Sequence, residues 1–112
     1  MALVLTPTAI VQAGSANLAY ATPNSTENIP ASGALILHVK NASGSSITVT
    51  PQDPGLTVSG TAALQTNRAV TVAATTGDKM ILLPASLINP ANQQIQVVFS
   101  ATASVTGLLL SL

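Results

Sequence analysis

The stretch Ala34–Thr50, ALILHVKNASGSSITVT, constrains the fold of this chain more than any other. Leu35, Leu37 and Val39 fall on one side of an extended segment. Ile47 and Val49 fall on one side of a second, with Thr48 and Thr50 opposite. A repeat of two places successive side chains on opposite faces of a strand, so each segment reads as half-buried β-strand. Between them, Asn41-Ala42-Ser43-Gly44-Ser45-Ser46 supplies small residues that tolerate tight or left-handed turns. The unit therefore reads as strand, turn, strand: a β-hairpin. Such a unit specifies a fold and carries no chemistry.

The remaining segments extend the pattern. Ala2–Thr6 reads as a short strand or apolar arm closed by Pro7, and Ala9–Ala13 as a second short strand. Gly14–Ile29 has little periodicity and reads as a long connection holding one short strand near Leu18–Ala21, with Pro30–Gly33 as a turn. Pro51–Gly55 is a second turn, Leu56–Val58 a short strand and Ser59–Asn67 a loop. In Arg68–Ala74, Val70 and Val72 share a face, and Thr75–Asp78 then turns the chain. Asp78–Leu83 has apolar residues on both faces, the pattern of a strand covered on both sides. Ala85–Asn92 accommodates one helical turn, with Ser86 as N-cap and Pro90 as terminator. Ile95, Val97 and Phe99 alternate with Gln94, Gln96 and Val98, and Val105–Leu112 forms the last strand.

This gives roughly seven to nine short strands with turn signals about every ten residues. The expectation is an all-β chain, a single antiparallel β-sandwich or small barrel with at most one helical turn. Residues 1–112 form one domain: 1–13 an N-terminal arm or edge strand, 14–33 the long connection, 34–112 the β core. There are no cysteines, hence neither a disulfide framework nor a thiolate metal site.

Charge is the next constraint. Glu27, Lys40, Asp53, Arg68, Asp78 and Lys79 make up 5% of the chain, against about 25% in an ordinary soluble domain. Three scattered basic residues cannot form the patch that displaces counterions from a phosphate backbone, so nucleic acid is not an expected partner. Hydrophobic residues at 47% set the chain apart from disordered segments. A neutral Ser/Thr/Asn/Gln surface suits a subunit packed against neighbours, because interface cores are depleted of charge. Met1–Leu5 is apolar but lacks a basic region and breaks at Thr6-Pro7, so no signal segment is expected. No run approaches the roughly 18 apolar residues of a membrane span, so no membrane partner is expected.

Little in the sequence builds an active site. His38, the single histidine, shares a strand face with Ile36 and Lys40, and no G-x-S-x-G elbow accompanies it. Glu27, Asp53 and Asp78 fall in predicted loops or turns, where acids bond the local backbone. No metal-ligand spacing and no phosphate-cradling glycine loop is present. The expectation is a non-enzymatic chain with no catalytic residue, cofactor or metal. What remains is surplus apolar surface: Leu3 and Leu5 near one end, and Leu108, Leu110 and Leu112 on one face of the last strand. With Tyr20 from the long connection, these are the candidate contacts with neighbouring subunits.

The order of segments LILHVKNASGSSITVT, RAVTVAATTGDKMILLP, a short Asn/Pro loop and IQVVFSATASVTGLLLSL resembles that of small β-rich virion proteins of tailed bacteriophages, most of all head decoration (cement) proteins. The resemblance spans most of the chain from residue 30. It implies a structural protein on the outer surface of an icosahedral head, made in the bacterial cytoplasm and bound to the major capsid protein. It also implies a homo-oligomer, with a trimer favoured, that stabilises the shell by bridging capsid subunits. The alternatives are a tail, fibre or baseplate component, or a carbohydrate-binding or adhesion module. Aromatic poverty weighs against the last, since Tyr20 and Phe99 are the only aromatic side chains.

Overall fold

Alternation alone does not say which strands pair, and in this chain pairing is almost entirely long-range. The computed structural model describes residues 3, 7–9, 20–52, 57–58, 61–62 and 69–111. Among these lie ten strands: β1 (Thr8–Ala9), β2 (Thr26–Pro30), β3 (Leu35–Asn41), β4 (Ile47–Pro51), β5 (Thr57–Val58), β6 (Thr61–Ala62), β7 (Val70–Val72), β8 (Gly77–Leu83), β9 (Gln94–Phe99) and β10 (Val105–Ser111). One four-stranded sheet has the order β1-β10-β3-β8, a second has β2-β9-β4-β7, and β5 and β6 form a separate two-stranded ribbon. The all-β sandwich expected from the strand pattern is the observed architecture.

Setting aside the β5–β6 ribbon, the pairs β1–β10, β2–β9, β3–β8 and β4–β7 join first strand to last and so on inward. This is the strand order of a jelly roll, in which a long folded ribbon is wrapped into two facing sheets. One departure stands out: β1 runs parallel to β10, whereas the other pairs between long strands are antiparallel.

The expected hairpin over 34–50 is corrected by this topology. β3 pairs with β10 and β8, while β4 pairs with β7 and β9, so the two segments lie in opposite sheets. Leu35, Leu37 and Val39 face Ile47 and Val49 across the core rather than standing beside them. The turn between them is an arch built on buried Asn41, whose Nδ2 donates to the carbonyls of Ser45 at 2.9 Å and Val72 at 3.2 Å. Its Oδ1 accepts the Ser43 amide at 2.9 Å. One side chain thus satisfies backbone groups from both limbs of the arch and from β7.

The core is completed by Ile81 and Leu83 of β8, Ile95, Val97 and Phe99 of β9, and Val105 and Leu109 of β10. Each such side chain contributes about 1.5–3 kcal/mol when removed from water. Leu3 joins this core at 4% exposure and packs on Gly107, where a side chain would meet its Cδ2 at 2.8 Å. Its amide donates to Glu27 Oε2 at 3.0 Å.

Four further expectations are corrected. The long connection contains β2, and Glu27 lies in that strand, buried at 3%, not in a loop. Pro30 ends β2 at a sheet edge, where a missing N–H costs no ladder bond. Strand β8 is buried on one face only: Asp78, Met80 and Leu82 are exposed. The helical turn is a 3-10 turn, Ala85–Leu87, entered from Pro84 with no side-chain cap, so Ser86 lies inside it and does not cap it. Ser59–Asn67, expected as a loop, holds strand β6 at Thr61–Ala62; the rest of it, with Asp53, Arg68, the Leu18 end of the expected strand and most of Ala2–Thr6 and Ala9–Ala13, lies outside the described residues.

Candidate functional site

The outer face of the β1-β10-β3-β8 sheet gathers most of the chemistry-bearing side chains of the described residues. Strand alternation puts Ile36, His38 and Lys40 of β3 on this face, with Asp78, Met80 and Leu82 of β8 beside them. The antiparallel register pairs Ile36 with Leu82, His38 with Met80 and Lys40 with Asp78. Asp78 is therefore the diagonal neighbour of His38, within reach of a long side chain. Tyr20 arrives from the other side. Its neighbour Ala21 makes a two-bond bridge with Gly107, at 3.1 and 2.9 Å, which sets the phenol ring over the face.

The four groups form one connected cluster. Tyr20 Oη lies 2.8 Å from His38 Nδ1, and His38 Nε2 is bonded to Asp78 Oδ1. A neutral imidazole satisfies both contacts at once, with the phenol donating to Nδ1 and Nε2–H donating to the carboxylate. The Tyr20 and His38 rings meet edge to face at 5.5 Å and 71°. Lys40 Nζ sits 4.4 Å from the Tyr20 ring centroid, a cation–π contact of about 0.5–1 kcal/mol in an exposed setting.

This chain of contacts resembles the connectivity of a nucleophile–histidine–carboxylate triad, with a phenol in the nucleophile's place. The carboxylate end is open: the Asp78 side chain is 57% exposed, against 15% for His38. Beside the cluster lies a shallow depression of about 260 Å³ between the β3–β4 arch and the β7–β8 turn, lined by Lys40, Asn41, Thr75 and Asp78 among others. That volume falls below the range usual for small-molecule sites. Among the described residues, no group of three or more His, Cys, Asp or Glu side chains is placed to hold a metal. What the arrangement does within the fold is fasten the incoming connection to the sheet through Tyr20.

No family model, no curated protein and no solved structure matches this chain.

The candidate contacts named from the sequence separate into three groups. Tyr20 is half-buried and belongs to the cluster above. Leu3, Leu108 and Leu110 are buried within the single chain, at 4%, 3% and 5%, so any contact through them would first have to uncover them. Leu108 and Leu110 nevertheless stand apart from the central core, on the outer side of β10. Leu5 and Leu112 lie outside the described residues. Among the described residues, the large apolar side chains that stay open are instead Met80 at 61% and Leu82 at 60%. Their alternation with Ile81 and Leu83 was visible in the sequence. That no described strand lies beyond β8 was not, because pairing joins segments far apart in the chain.

Tyr20→Phe keeps the ring and removes the phenol–imidazole bond. It is expected to lower stability by about 1 kcal/mol, read as a lower urea midpoint with unchanged slope. An unchanged midpoint would show that the ring alone anchors the connection.

Proposed function

We propose that this chain is a non-enzymatic virion structural protein, a decoration protein that binds the outer surface of an icosahedral phage head and stabilises it through the major capsid protein. One observation carries the reading. The outer face of the β2-β9-β4-β7 sheet presents Thr26, Asn28, Thr48, Thr71, Gln94 and Gln96, with no charged residue among them. Asn28 and Gln96 are cross-strand partners and bond to each other at 3.3 Å. A sheet face without charge avoids the desolvation cost of buried ions and brings no like-charge conflict to a partner, and depletion of charge is one mark of an interface core.

Two further points support it. Jelly-roll strand order is shared by viral capsid domains, lectin domains and cupins, a likeness of architecture that does not by itself assign function. The segments whose order resembles that of decoration proteins cover β3 to β10, which supply three strands of each four-stranded sheet.

The test is cosedimentation of the purified chain with phage heads that lack it. Binding should saturate at a copy number fixed by the lattice. Gln96→Lys, at an exposed position, should weaken it at least about tenfold while moving stability by no more than about 0.5 kcal/mol. Failure to bind heads, or binding to isolated tails in their place, would overturn the head assignment.

A further inference from the structure

We propose that two copies of this chain pair through the free edge of β8, joining two four-stranded sheets into one of eight strands. Among the described residues no strand lies on the far side of β8. A seven-residue edge with unpaired backbone groups invites another strand unless charge, proline or a bulge blunts it. Here Asp78 is held by His38, exposed Lys79 alternates to the opposite face, and the outer face of the edge shows Met80 and Leu82, the most exposed large apolar residues described.

The choice of a second copy as partner comes from the strand's own pattern. Residues directly opposite in an antiparallel pair point to the same face, so a two-fold pairing of β8 with itself is centred on a single residue. Centred on Lys79, it sets the two lysines against each other. Centred on Met80, it sets each Asp78 carboxylate against Leu82. Centred on Ile81, it sets Met80 of each copy against Leu82 of the other and Lys79 against Leu83, with no like charges opposed. Only this last register covers both exposed apolar side chains with apolar partners. Ile36, the cross-strand neighbour of Leu82, then extends the covered stripe on each side. The contact is isologous and closes at two copies, which limits the aggregation risk of an open edge. It differs from the trimer that the resemblance implies.

Sedimentation velocity of the full chain across a micromolar dilution series should show a reversible dimer. Leu82→Asp places an unpaired carboxylate in the contact and should weaken dimerisation at least about tenfold, without unfolding the chain, since the side chain is solvent-facing. The register is read separately. The chain has no cysteine, so a mixture of Met80→Cys and Leu82→Cys chains under mild oxidant should cross-link chiefly as the mixed pair. A monomer throughout, a trimer, an unaffected Leu82→Asp dimer, or preferential self-linking of Met80→Cys would each overturn the proposal. None of these measurements contains a capsid, so their failure and the failure of the head-binding reading are distinguishable.

Discussion

Gly77→Ala is expected to cost about 3 kcal/mol, at the upper end of what overpacking usually does, and to leave the fold marginal. A Cβ at this position would lie 2.1 Å from the Ala73 carbonyl oxygen, 2.7 Å from Val72 Cγ1 and 2.8 Å from the Ala73 amide nitrogen. Two of the three are backbone atoms, so no rotamer change relieves the conflict. Relief must open the tight turn that carries the chain from β7 in one sheet to β8 in the other. That turn is already constrained: Thr75 holds a left-handed φ of 70°, unusual for a β-branched residue, and its amide donates to the Ser43 carbonyl at 2.8 Å. Domains of this size have about 5–15 kcal/mol of stability in all, so the loss should appear as a large fall in the urea midpoint. Gly44→Ala is the control, because nothing lies within 4 Å of its added methyl. Equal midpoints for the two variants would sink the expectation.

Glu27→Ala should cost a similar amount, about 3 kcal/mol. The carboxylate is buried at 3%, and its Oε2 accepts the Asn24 amide at 2.7 Å and the Leu3 amide at 3.0 Å. The first bond shapes the entry to β2; the second ties residue 3 into the core across a sequence separation of 24. Truncation leaves two amides without their acceptor, and the Leu3 amide is buried with it. Glu27→Gln keeps a carbonyl in the same place and should lose less than half as much. Urea unfolding of the three proteins, with hydrogen exchange at the Leu3 amide, checks both claims. If Gln and Ala behave alike, the charge and not the acceptor geometry holds the segment.

Strand positions and faces were legible in the sequence because period-two alternation is local. Val70 and Val72, Ile95 to Phe99, and Leu35 to Val39 all took the faces that their spacing predicts. Partners were not legible. The residues around Asn41 read equally well as a hairpin turn and as an arch between sheets, since both need small residues that bond their own backbone. The difference lies in β9 and β10, more than forty residues later in the chain, which take the places a hairpin would have filled. Glu27 was missed for a related reason. A glutamate among Thr, Asn and Pro looks like a turn residue until its distant amide partner is known. The Tyr20–His38–Asp78 cluster joins residues from three separate segments, and no spacing rule connects them.

The first-to-last pairing has a consequence for how the chain comes into being. Strand β10 is an interior strand of one sheet, β9 is an interior strand of the other, and both follow every other described strand in the chain. Until they emerge, among the described strands β3 has only β8 beside it, β4 has only β7, and β2 has no partner. Loop closure over such separations is slow, and half-built sheets expose their edges. The two sheets are therefore completed at nearly the same moment, once β9 and β10 have both emerged, and a chain cut short before them would carry apolar strand faces with no β9 or β10 beside them.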